Sequence, residues 1–210
     1  MDKDFSEMQE KGKTLEDAIK FAADAHAGVK RKGKKRAYIL HPLEAMIIAA
    51  SLTEDEEVLA AAALHDTVED TAVTKEQLEQ TFGSRVANLV AAESENKREN
   101  TPAEETWELR KQETITHLRF ASREAKLICL GDKLANLREL VRDDAQIGDA
   151  LWKRFNQSDK RKHAWYYRSV FEILAEEFGQ VPATEEYARL LDRLFGKSDE
   201  KTEKKGMQRD

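Results

Sequence analysis

Only nine glycines and three prolines punctuate the 210 residues of this chain. All-β sandwiches and barrels need a turn about every 8–12 residues, and so few chain-turning residues cannot supply them. Between the breaks, apolar residues recur at helical spacing. Thr14 and Asp17 open one such run, through Ala18, Ile19, Ala22 and Ala25; Pro42 suits the first turn of another, through Leu43, Met46, Ile47 and Ala50. Thr53 with Glu56 precedes Val58, Leu59, Ala62 and Ala63; Thr74 with Gln77 opens a short helix that Gly83 ends, and Ser84 caps the next. Further helical patterns cover 107–120, 123–143, 148–154, 158–178 and 184–195, with a polar loop at 93–106. The expectation is an all-α chain, a single bundle of about eight to ten helices. Residues 1–13 form an N-terminal extension, 14–195 the folded domain and 196–210 a disordered polar tail.

Composition narrows the functional classes. Charged residues make up 36% and apolar ones 40% of the chain, which suits amphipathic helices with solvated outer faces. A net charge of −6 argues against nucleic acid as a broad, non-specific partner. No stretch reaches the roughly 18 apolar residues of a membrane span, so no membrane partner is expected. The single cysteine, Cys129, excludes an internal disulfide and fits a reducing, cytoplasmic setting; in its apolar run it reads as an inert core residue. One local exception to the acidic balance stands out: Lys30-Arg31-Lys32-Gly33-Lys34-Lys35-Arg36 carries six cations in seven residues.

Three segments carry chemistry. Leu64-His65-Asp66-Thr67-Val68-Glu69-Asp70 follows the apolar run Ala60 to Leu64 and reads as part of one helix. His65 and Glu69 are four apart, as are Asp66 and Asp70, so each pair shares a helix face. Burying that many ionisable groups is costly unless they are paired or bind a cation. His41 stands just before Pro42, where a helix begins, and Gly131-Asp132-Lys133-Leu134-Ala135-Asn136 sets Asp132 and Asn136 one turn apart. Two histidines and two aspartates make a nitrogen and oxygen donor set that suits a first-row divalent ion with positions left for water and phosphate.

The order His…His-Asp…Asp resembles the signature of HD-domain metal-dependent phosphohydrolases. The finer pattern is His26-Ala-Gly, Arg31-Lys32, Tyr38-Ile-Leu-His41-Pro42, His65-Asp66-Thr67-Val68-Glu69-Asp70-Thr71, Phe82-Gly83 and Gly131-Asp132-Lys133-Leu134-Ala-Asn136-Leu-Arg138. It is similar to the hydrolase domain of RelA/SpoT proteins and to stand-alone small alarmone hydrolases, over about residues 14–178. The resemblance implies a single HD-domain bundle in which His41, His65, Asp66 and Asp132 hold the metal, usually Mn²⁺. Glu69 and Asp70 would then orient and activate the attacking water. Asn136 would hold substrate near ribose and phosphate, and Arg31 and Lys32 would line the guanine and phosphate pocket. The implied reaction removes the 3′-pyrophosphate of guanosine tetra- or pentaphosphate, giving GDP or GTP and pyrophosphate. Related phosphoester chemistry on another nucleotide or on NADPH, and a non-catalytic nucleotide sensor, are the alternatives.

Several residues take lesser expected roles. Lys34, Lys35 and Arg36 are left as steering or solvated charges. Glu93 and Glu95 would oppose a polyanion unless Lys97 or Arg98 compensates, and Arg110-Lys111 could return cations to the pocket. Trp152, Phe155, Trp165, Tyr166 and Tyr167 read as core. His163 and His117 read as structural or surface groups, and His26 as a packing residue behind the ligands.

Overall fold

The structure is a computed structural model that describes residues 15–95, 98 and 101–197. Its helices are α1 (Leu15–Ala25), α2 (Leu40–Ala50), α3 (Glu56–Leu64), α4 (Thr67–Asp70), α5 (Lys75–Phe82), α6 (Ser84–Glu93), α7 (Ala103–Phe120), α8 (Arg123–Ile147), α9 (Lys160–Phe178) and α10 (Pro182–Phe195), with a 3-10 helix at Gly148–Arg154. Among the described residues the sole β feature is one antiparallel bridge, Lys30 with Ala37, which closes the basic loop between α1 and α2. The all-α expectation therefore holds. Thr14, the extension at 1–13 and most of the polar tail lie outside the described residues.

Local chemistry moves several helix ends. Thr74 and Gln77 form the reciprocal capping box expected of them. Ahead of α3, however, Asp55 is the cap: its carboxylate accepts from the backbone of Glu57 and Val58, while the Thr53 hydroxyl accepts from Asp55 N. Gly83, not Ser84, precedes α6, with a φ of 89° that a side chain would resist. Helix α7 starts at Ala103, so the loop after α6 is shorter than 93–106, and α8 runs on to Ile147.

The largest departure is at His65-Asp66. No single helix runs from α3 to Asp70; the chain breaks after Leu64 and restarts as the one-turn α4. No glycine or proline marks the break. The Thr67 hydroxyl donates to Leu64 O at 2.7 Å, and that of Thr71 to Thr67 O at 2.6 Å; such local bonds compete with the helical ladder.

Two apolar cores meet on α8. Ala125, Leu127 and Ile128 join α1, α3, α5 and α6 in one core, whereas Leu130, Leu134, Leu137 and Val141 join α9, α10 and the 3-10 helix in the other. Helix α2 spans the same divide, Ala45 in one core and Ala49 in the other. It lies against α8 so closely that a Cβ on Gly131 would stand 2.5 Å from Ala45 O. Glycine at 131 is thus what lets the helix carrying His41 reach the residue after it, Asp132.

Candidate metal and phosphate site

Where the cores meet, four side chains from three segments converge. His41 comes from the first turn of α2, His65 and Asp66 from the break after α3, and Asp132 from mid-α8. Donor atoms of His41, His65 and Asp132 all lie within 4.8 Å of one another, and all three residues are buried. His41 Nε2 is 3.0 Å from Asp132 Oδ1 and 3.4 Å from Asp66 Oδ2; His65 Nε2 is 3.2 Å from Asp66 Oδ2 and 3.7 Å from Asp132 Oδ1. Asp66 is outside the tightest trio but faces both imidazoles.

The remaining atoms of these residues are already committed. His65 Nδ1 is 2.8 Å from Ala62 O, a contact that turns Nε2 toward the carboxylates. Among the described residues Nε2 is buried without a hydrogen-bond partner, despite its nearness to Asp66. Asp132 Oδ2 accepts from Lys133 Nζ, and Asp132 Oδ1 from Asn136 Nδ2 at 2.5 Å. Burial works against the charged form of Asp132, but the Lys133 ammonium and then the two imidazoles hold its carboxyl well below the usual range. Burial would likewise lower His65; Asp66 first, then Asp132, outweigh it and hold the imidazole well above its ordinary value. A buried acidic pocket that retains an extra proton, with one nitrogen unpartnered, fits a cation. The donor set, two nitrogens and two carboxylates, suits a divalent one.

Beside this cluster lies a chain of ion pairs. The Arg31 guanidinium donates to Asn136 Oδ1 at 2.7 Å and, through Nε and Nη2, to Glu139 Oε2 at 2.8 and 2.6 Å. Lys34 bridges Glu139 and Asp143 at 2.8 and 2.7 Å, and Arg154 reaches Asp143 at 3.2 Å. The sequence reading of Lys34 as a steering or solvated charge is corrected: two α8 carboxylates draw it inward. Lys32 is exposed and stands outside this network among the described residues. Asp132, Asn136, Glu139 and Asp143 follow one another at four, three and four residues, a single stripe on α8.

Glu69 and Asp70 sit on α4. The Glu95 amide approaches Glu69 Oε2 at 3.4 Å, and the Tyr38 hydroxyl is 2.6 Å from Asp70 Oδ2 and 2.8 Å from Asp66 Oδ2. Tyr38 was part of the sequence pattern without a role. Glu95 is compensated, but by α7: Arg110 at 2.9 Å, Lys111 at 2.5 Å and the Thr114 hydroxyl at 3.1 Å. Arg98 pairs instead with Glu113 at 2.6 Å, and Lys97 lies outside the described residues. Glu93 is half-buried beside Lys133 and Cys129, and burial pushes its carboxyl up to about 7.

The other readings hold where they can be seen. Trp152, Tyr166 and Tyr167 are buried core, and Phe155 and Trp165 pack against it. His163 is buried among Trp107, Trp152 and Phe155, and its Nε2 is 2.8 Å from Gln157 O. His117 is exposed, and His26 is buried against the Tyr38 ring.

This helical bundle, with its histidine and aspartate centre, belongs to the HD-domain family, whose family model matches residues 18–179. Among curated proteins the chain is similar to the Danio rerio guanosine-3′,5′-bis(diphosphate) 3′-pyrophosphohydrolase MESH1, 40% identical over 131 residues, 61% of this chain and 69% of that protein. The Aquifex aeolicus guanosine-3′,5′-bis(diphosphate) 3′-pyrophosphohydrolase is 30% identical over 85% of this chain, which spans 23% of that longer protein. A solved structure described as a metazoan ortholog of SpoT that hydrolyzes ppGpp superposes with a TM-score of 0.68 at 29% identity, covering 85% of this chain and 93% of the other. A Listeria monocytogenes structure gives 0.63 at 32% identity, covering 80% of this chain and all of the other. Among the described residues no helix is long and apolar enough to cross a membrane.

Proposed function

We propose that this chain, through the domain at 14–195, hydrolyses the 3′-pyrophosphate of guanosine tetra- or pentaphosphate, releasing pyrophosphate and GDP or GTP. The observation that carries this reading is the convergence of His41, His65 and Asp132, with Asp66 against both imidazoles, beside the carboxylates of α4 on one side and the Arg31–Asn136 pair on the other. Named 3′-pyrophosphohydrolases at 40% and 30% identity support the same substrate class. His41, His65, Asp66 and Asp132 would hold one divalent ion, Mn²⁺ in this reading, which supplies Lewis-acid polarisation and offsets phosphoryl charge.

The chain's own groups do the rest. Glu69 and Asp70 take the proton from an attacking water as its oxygen bonds to phosphorus. The 3′ oxygen leaves with the electron pair of the broken bond and gains a proton to become the ribose hydroxyl. Asn136, anchored on Asp132, and Arg31, anchored on Glu139, hold the ribose and phosphate, so the reacting atoms meet in one geometry. Lys32, exposed in the loop between α1 and α2, supplies a further positive charge for the polyanion. Purified protein incubated with ppGpp and Mn²⁺ should yield GDP and pyrophosphate in equal amounts. Release of orthophosphate, or no turnover with Mn²⁺ bound, would contradict the assignment.

A further inference from the structure

Tyr38 touches Asp66, Asp70, His41 and Arg31, yet neither the metal set nor the water-activating pair accounts for it. Its hydroxyl lies 2.8 Å from Asp66 Oδ2 and 2.6 Å from Asp70 Oδ2. Its ring is held in place by its neighbours: the buried His26 imidazole stacks on it at 4.8 Å between centroids and 26° between planes, and the Arg31 guanidinium lies 5.2 Å from its centre. The His41 ring meets it edge-on at 6.1 Å. Nothing on the His26 ring competes for the phenol, because both its nitrogens are buried without hydrogen-bond partners among the described residues. The stacking fixes where the hydroxyl can be.

A phenol carries one hydrogen and here serves two carboxylates. It can donate fully to only one of them at a time. Asp66 also faces His41 and His65, and it would share its charge with a bound cation. Once that charge is offset, Asp66 draws the phenol's hydrogen less strongly, and Asp70, the nearer acceptor at 2.6 Å, draws it more. We infer that Tyr38 is a positioning residue for hydrolysis: its single proton turns to Asp70 and fixes the carboxylate at the attacking water when a cation occupies the neighbouring site. This rests on the phosphohydrolase reading above, and it assigns to Tyr38 a role in turnover separate from metal retention.

The test is a cycle of Tyr38→Phe, Asp70→Asn and the double variant, which keeps the aromatic ring and thus the His26 and Arg31 contacts. Mn²⁺ affinity is measured by calorimetry on each, alongside kcat and KM with ppGpp. Tyr38→Phe should lower kcat about tenfold or more, with KM and Mn²⁺ affinity within about threefold, the size expected for losing one charge-assisted hydrogen bond. In the Asp70→Asn background the same change should cost almost nothing, because the two residues act as one unit. If the two effects on kcat are additive, or if weaker Mn²⁺ binding accounts for the whole loss, Tyr38 does not act through Asp70. Should Tyr38→Phe fail to fold, Tyr38→Trp in the same cycle tests the claim, since it keeps an aromatic ring and displaces the hydroxyl. An inactive wild type would overturn the phosphohydrolase reading; an active wild type whose Tyr38→Phe variant keeps its kcat would overturn this inference alone.

Discussion

Two polar clusters lie side by side on α8 and solve burial in opposite ways. Along Arg31, Glu139, Lys34, Asp143 and Arg154, each charge faces an opposite one within 3.2 Å, so the cluster is satisfied by itself. One turn away, His41, His65, Asp66 and Asp132 bring two carboxylates against two imidazoles, and His65 Nε2 is left without a hydrogen bond among the described residues. A buried polar atom without a partner costs about 1–3 kcal/mol. The first cluster fixes a guanidinium; the second leaves a nitrogen that a cation would satisfy. Asn136 joins the two, accepting from Arg31 and donating to Asp132. Under the proposed function, substrate held on one side would be in register with the metal on the other.

Each cluster can be disabled separately. The largest effect should come from Glu69→Gln, which leaves the four ligands untouched and removes a base: Mn²⁺ should bind as in wild type while kcat falls about 10²-fold or more. Equal rates in the two proteins would place the base elsewhere. Next comes Gly131→Ala. Its methyl would meet Ala45 O at 2.5 Å, a backbone atom that cannot swing aside. Overpacking of this kind costs about 1–3 kcal/mol, and pushing α2 from α8 separates His41 from Asp132. Urea unfolding should show the loss together with weaker Mn²⁺ binding; an unchanged midpoint and affinity would mean the helices are not locked at this crossing.

On the scaffold side, Glu139→Gln keeps the shape but removes the charge that fixes Arg31 and Lys34. About 1 kcal/mol of lost charge-assisted bonding corresponds to roughly a fivefold rise in KM for ppGpp, with kcat and Mn²⁺ affinity held. A fall in Mn²⁺ affinity instead would show that the two clusters are one. The smallest effect is expected at Glu93, whose carboxyl burial raises from 4.5 to about 7. The folded protein keeps this proton where the unfolded chain loses it, so stability falls as pH rises from about 4.5 to 7 and then levels. Glu93→Gln should remove that slope, leaving the metal-free variant more stable than wild type at pH 8 and equal to it at pH 4. Thermal melts that stay parallel across this range would contradict it.

The helices themselves were legible because their information is local: spacing, a capping box at Thr74, glycines at the ends. The convergence of His41, His65-Asp66 and Asp132 was legible because they are types and spacings with few other uses. What the chain hid depends on contacts between distant segments. Lys34 looks like one more cation in a basic run until α8 is seen to present Glu139 and Asp143 to it. Tyr38 is an ordinary aromatic until its hydroxyl is found between two carboxylates from α4 and its N-terminal edge. Glu95 looked adverse to an anionic substrate because its partners, Arg110 and Lys111, lie on the next helix. The break at His65-Asp66 was hidden for another reason: the Thr67 hydroxyl bonding Leu64 O, not a glycine or proline, marks where α3 ends.

The unsatisfied cluster should take a single cation. Metal-stripped wild-type protein, titrated with Mn²⁺ in a calorimeter, should bind one ion per chain, and Asp132→Ala, folded by its far-ultraviolet spectrum, should bind none at that site. Equal binding by the two proteins, or no binding by wild type, would contradict it.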